Sequence, residues 1–188
     1  MLKTIDVGLM VNHLSAHEGV IKRLDLYVKI TKNQQLLNIL GQQIGTMKNH
    51  VQVMNMLLDP NHSKQVTLPP IPQNGFQINT QQSIMEIGLE DKDMALDAHF
   101  TATAMANDNF ISSTNMKDPH VKHIHVEMAM QQSQIAKQHE MLGEQMGWMT
   151  HPNATTNEQQ QAMNPLNNQS FNPYHQISNN EQAPSRFN

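Results

Sequence analysis

The chain has 188 residues, 38% of them hydrophobic and 15% charged, with a formal net charge of −4 and no cysteine. The missing cysteine excludes disulfide staples, thiolate metal sites and thiol nucleophiles within this chain. A negative balance with no basic block leaves no footprint for nucleic-acid binding through phosphate neutralisation.

The N-terminal run MLKTIDVGLMVNHLSAHEG has one early lysine and a short mixed apolar stretch holding Asp6 and Asn12. No cleavage-like site follows it, so neither a signal peptide nor a transmembrane helix is expected. From residue 12 the pattern takes a helical period. Leu14, His17, Ile21, Leu24 and Val28 step by three and four along one stripe. Ser15 with Glu18 three residues on reads as a capping box, with Asn12 as an equally good start.

The second helix is marked by a seam at Leu37, Leu40, Ile44, Met47, Val51, Met54 and Leu58. Gly41 and Gly45 lie on a neighbouring face, where each costs about 1 kcal/mol of helix propensity against Ala. Close approach of another helix is the expected reason. Asp59-Pro60 ends the segment. Residues 59–80 then hold four prolines and a glycine. A connection this long suits a crossover from one end of a bundle to the other.

The third helix is expected from about Gln82 or Glu90 to Asn115. Its seam reads Met94, Ala98, Thr101, Met105, Asp108 and Ser112, small residues that allow close packing. The fourth opens with Asp118 as N-cap and Pro119 in the first helical position. Val121, Met128, Ile135, Leu142 and Met149 repeat every seven residues, with His125, Gln132, His139 and Met146 between them. Gly147 and Trp148, the only tryptophan, close this helix. The glycine allows a backbone turn, and the indole covers the bundle end. Trp148, Gly147, Asp118 and Pro119 are thus structural determinants. The fold expected is all-α: a ferritin-like four-helix bundle over 12–150 with one long 2–3 crossover. Residues 151–188, rich in Asn and Gln, are expected to form a disordered tail, with self-association as a second reading.

A ferritin-like bundle invites a di-metal site, which needs one carboxylate from each of two helices and Glu-x-x-His from each of the others. The second helix reads MKNH at 47–50, and the fourth reads EMAM at 127–130. Met47 stands where the motif needs Glu, and Met130 where it needs His. The remaining candidates, His17, Glu18, Asp97 and His125, form at most a degenerate set. His13 and His17 at i, i+4, and His120, His123 and His125, read as seam or surface histidines titrating near pH ~6–7. Ser83, Ser112 and Ser113 have no triad partners, and NGFQ at 74–77 is a turn. The methionine-rich seams read as a plastic core. No catalytic, cofactor-binding or metal-ligating residue is assigned, and no cofactor is expected.

The stretches ALDAHFTATAMANDNFISSTNMKDPHVKHIHVEMAMQQ and EMLGEQMGWMTHP resemble the spore coat protein F (CotF) family of Bacillus-type endospore formers. The likeness lies in the ALD start of the third helix, the Asp-Pro cap of the fourth, and the Gly-Trp ending before a proline. His17-Glu18 is also similar to a pair in related ferritin-like spore proteins. The resemblance spans about residues 12–152. It implies a non-catalytic coat component, made in the mother-cell cytoplasm without a signal peptide and partnered by other coat proteins or by its own copies. Two alternatives stand beside it. One is a metal-binding oxidoreductase or storage protein using His17, Glu18, Asp97 and His125. The other is an adaptor, which an exposed apolar stripe on the third helix would mark.

Overall fold

The computed structural model describes residues 1–73 and 88–163. The chain divides into two compact units, Met1–Thr150 and His151–Asn188. Among the described residues every regular element is a helix. None is long and apolar enough to cross a membrane. The first unit holds α1 (Thr4–Ile30), α2 (Gln34–Leu58), α3 (Asp91–Asn115) and α4 (Pro119–Gln145). α1 packs on α2 and α3 on α4, and α2–α4 and α1–α3 contacts close the bundle. The 1–2 and 3–4 connections are short, and the 2–3 connection is long.

α1 starts at Thr4, about two turns before the expected start at residue 12. The reason is Asp6, which is fully buried. Its carboxylate accepts the Lys3 backbone N–H at 2.8 Å, closing the first turn. It also accepts Lys117 N–H at 2.6 Å and Asp118 N–H at 3.4 Å, tying the start of α1 to the start of α4. Burial alone would raise this carboxyl's pKa, but those N–H donors and the Lys117 charge hold it below the ordinary value. Ser15 is accordingly no cap. It lies mid-helix and donates its hydroxyl to Val11 O.

The other caps follow local chemistry. Asn33 accepts Gln35 and Leu36 N–H at the start of α2. Asp118 accepts His120 and Val121 N–H, with Pro119 behind it. α4 ends in a Schellman turn: Trp148 N–H bonds Gly143 O, Gly147 N–H bonds Glu144 O, and Gly147 has φ +71°. Helical backbone thus stops at Gln145, three residues before Trp148. Trp148 is partly buried and packs on the cluster around Leu24, Leu36, Leu40 and Leu142.

Seven-residue spacing held along α4, where Val121, Met128, Ile135 and Leu142 are buried with His125, Gln132 and His139. It failed at the far end of α4, where Met146 is exposed. It also failed in α3, where Asp108 points outward and Asn109 takes the inner position.

In the second unit, α5 (Thr156–Met163) interrupts the stretch expected to be disordered. Thr155 and Glu158 cap it reciprocally, Thr155 N–H to the Glu158 carboxylate and Glu158 N–H to Thr155 Oγ1. Every residue of α5 is exposed. The remaining tail expectation, residues 164–188, lies outside the described residues. So do the NGFQ turn at 74–77, Ser83 and the Gln82 start of the third helix.

Candidate functional site

The apolar core of the bundle is split. One cluster contains Leu24, Leu36, Leu40, Met47, Met94 and Leu142. A second contains Met10, Val53, Met54, Met116, Ile124 and Met128. Between them in sequence position on α1, α2 and α3, and within the span of the second cluster on α4, lies a belt of buried polar residues. His13 and His17 come from α1, His50 from α2, Asn109 and Ser112 from α3, and His125 from α4. The rings form a row. The centroids of His50 and His17 lie 5.5 Å apart, those of His17 and His13 6.3 Å, and those of His13 and His125 5.4 Å.

Hydrogen bonds fix the tautomers. His17 Nδ1–H donates to the His13 carbonyl at 2.7 Å, so its Nε2 carries the lone pair. Gln131 gives its amide N–H to Pro69 O at 2.8 Å. Its carbonyl oxygen must therefore face His50, whose Nε2–H donates to it at 2.9 Å. The lone pair of His50 is then on Nδ1. These two lone-pair nitrogens, His17 Nε2 and His50 Nδ1, face each other at 3.4 Å. His125 Nδ1–H donates to Val121 O at 2.9 Å, and its buried Nε2 receives no hydrogen bond from the described residues. His13 shares a hydrogen bond with Ser112 Oγ at 2.9 Å and holds Nδ1 3.9 Å from the Asp108 carboxylate.

Farther along the bundle, His139 Nε2–H donates to Gln43 Oε1 at 2.9 Å, leaving a buried, unpartnered Nδ1. Burial pushes His17 and His125 down to about 4, and His50 and His139 down to about 3. Burial also lowers His13, against a smaller opposite pull from Asp108. The expectation of ordinary seam histidines near pH ~6–7 is therefore overturned for these rings.

The degenerate set weighed from sequence is not brought together. His17 and His125 lie in the belt. Glu18 is exposed and bonded to Lys22 at 2.7 Å. Asp97 is outside the core, bonded to Arg23 at 3.2 Å and to the Tyr27 hydroxyl at 3.0 Å. A carboxylate-bridged pair of ions does not fit these residues, because among the described residues the one carboxylate beside the belt, the exposed Asp108, reaches only His13, at 3.9 Å. His50 was passed over in the sequence. The signal for it was its place in MKNH, where it fills the His position of a Glu-x-x-His motif whose Glu is replaced by Met47.

A second feature lies on the outside of α3. Phe100, Phe110 and Ile111 are 63%, 55% and 60% exposed. With Thr103, Ala104 and Asn107, all exposed, they follow helical spacing along one face. The face has bulky ends and a small middle.

No family model matches the chain, and no curated protein sequence matches it. Its fold is shared with the crystal structure of a "putative spore coat protein" from Bacillus halodurans C-125. The TM-score is 0.66 at 18% sequence identity, covering 82% of this chain and 96% of the other.

Proposed function

We propose that this chain is a non-catalytic component of the bacterial endospore coat, a CotF-like, ferritin-like bundle that works by protein–protein assembly. Its partners are other coat proteins and its own copies. The observation that carries the reading is the outward face of α3, an exposed apolar stripe that also supports the adaptor alternative. Three large apolar side chains are held in water by a helix whose inner face is already fully packed. Burying a Phe or Ile is worth roughly 1.5–3 kcal/mol, so such a face gains from being covered. The fold shared with a coat protein supports the same reading.

The occupant that fits is a second copy of this chain. In an antiparallel pairing of two α3 helices, Phe100 lies opposite Ile111, and Ala104 lies opposite Asn107. Thr103 then meets Asp108, so no like charges oppose. Small residues at the crossing allow close approach, and bulky ends interlock, as a two-fold interface requires. Synthesis in the mother-cell cytoplasm belongs to this proposal.

The test joins two measurements on the wild type and a Phe100→Asp/Phe110→Asp variant. Light scattering on the purified proteins should show a dimer that the variant loses. A fluorescent fusion made in the mother cell of a sporulating host should ring the spore, and the variant should stay diffuse. A monomeric wild type, or a variant that assembles as the wild type does, would refute the α3 interface. A fusion diffuse in the mother cell would refute the coat reading.

A further inference from the structure

We propose that His17 and His50 form the edge of a binding site for one divalent transition-metal ion of borderline softness, with His125 and His13 supplying further nitrogens. The argument begins with the two facing lone pairs. Two imidazole acceptors 3.4 Å apart have no proton to share when both rings are neutral. A cation between them resolves this repulsion. At a metal–nitrogen bond of about 2.0–2.1 Å, nitrogens 3.4 Å apart subtend about 110° at the ion, close to the tetrahedral angle.

The outer bonds of the rings have the form that metal-bound histidines show. Each ligand ring gives its other N–H to a fixed oxygen, which sets the tautomer and aims the lone pair. Here the oxygens are the His13 carbonyl for His17, Gln131 Oε1 for His50 and the Val121 carbonyl for His125. Gln131 is itself pinned by Pro69 O. The second, independent observation is His125 Nε2, fully buried without a hydrogen-bond partner among the described residues. Thr46 Oγ1 and both amide atoms of Gln132 are likewise buried and unpartnered.

No three of these imidazoles bring a nitrogen each within 4.8 Å of one another. Only the His17–His50 pair is preformed, and a nitrogen of His125 or His13 joins it only if that ring leaves its present hydrogen bond. The ligand class follows from the donors. Imidazole without carboxylate or thiolate suits zinc, nickel or copper, and disfavours magnesium, calcium and manganese. Such an ion would cross-link α1 and α2 through His17 and His50, and α4 as well where His125 joins them. This site is separate from the α3 face and stands or falls without it.

The test uses the full chain without an affinity tag, stripped with EDTA and titrated with Zn²⁺ by calorimetry at neutral pH. The expected result is one ion per chain and a melting temperature that rises with Zn²⁺ concentration. A His17→Gln/His50→Gln variant should lose at least tenfold in affinity. A variant of two histidines outside the belt, His62→Ala/His123→Ala, should bind as the wild type does. X-ray absorption of the zinc-loaded wild type needs no variant and should show two or more imidazole ligands. No uptake by the wild type, unchanged binding in the His17/His50 variant, or a shell of oxygen ligands alone would overturn the proposal.

Discussion

Acidification should unfold this bundle well above the pH at which its carboxylates protonate. In the unfolded chain each histidine titrates at about 6.5. In the folded state His17 and His125 are held at about 4, and His50 and His139 at about 3. A depressed folded pKa means that the unfolded state binds protons first as pH falls. The stabilisation is therefore complete above pH 6.5 and is lost as pH drops from there toward 3–4. While the folded rings stay neutral, the loss between pH 7 and pH 5 is about 2 kcal/mol per ring. Four rings give about 8 kcal/mol, against a typical domain stability of about 5–15 kcal/mol. His13 acts in the same sense, and its neighbour Asp108 is the one nearby charge opposing it. Asp6 adds nothing in this window, because its unfolded value is 3.8. The assay is urea denaturation in EDTA, followed by far-UV circular dichroism at pH 7, 6 and 5. Stability should fall by about 3 kcal/mol at pH 6, and the fold should be marginal at pH 5. A stability constant within about 1 kcal/mol from pH 7 to 5 would show that the rings are hydrated or already charged in the folded state.

Two substitutions probe the ends of the bundle. Asp6→Ala removes the acceptor of three backbone N–H groups, and should cost about 1–3 kcal/mol in urea unfolding. An unchanged midpoint would mean that water satisfies those groups equally well. Trp148→Ala should cost about 2 kcal/mol, less than a fully enclosed indole would, because the ring is only partly covered. A melting temperature equal to the wild type's would detach the indole from the Leu24–Leu142 cluster.

Helices α2 and α4 were legible because their apolar seams are long and their caps chemically plain. Asp118 presents a short acceptor before the first turn of α4, and Asp59-Pro60 blocks continuation of α2, whereas the Asn33 cap of α2 was not read. Three features were hidden for physical reasons. Asp6 looked like a polar break in a short mixed apolar run, and its real role depends on N–H groups at Lys117 and Asp118, over a hundred residues away. Asp108 was placed inward by extending a strict three-four spacing along α3. A straight helix turns every 3.6 residues and drifts off such a seam, so Asn109 faces inward instead. The small helix α5 was masked by composition, since Asn and Gln dominate a stretch whose Thr155–Glu158 pair is a capping signal.

The histidine belt shows where local patterns stop being informative. His13 and His17 at i, i+4 announce a shared face, and nothing local says that the face points inward. His50 and His125 sit 33 and 108 positions from His17 along the chain, and only the bundle brings their rings into one row. Once assembled, the row has a property that none of its members has alone. The oxygens holding the outer N–H groups are backbone carbonyls and an amide, which cannot give the proton back, so the lone pairs are forced inward. An apolar replacement of the belt would avoid buried acceptors altogether and would fill the same space. A belt that instead fixes its tautomers from behind, with no carboxylate among the described residues at the His17–His50 pair, is selective in what can sit at its centre. It disfavours the proton at neutral pH and disfavours hard cations. With the proposed ion in place, that selectivity makes the stability of the bundle depend on both acidity and metal supply.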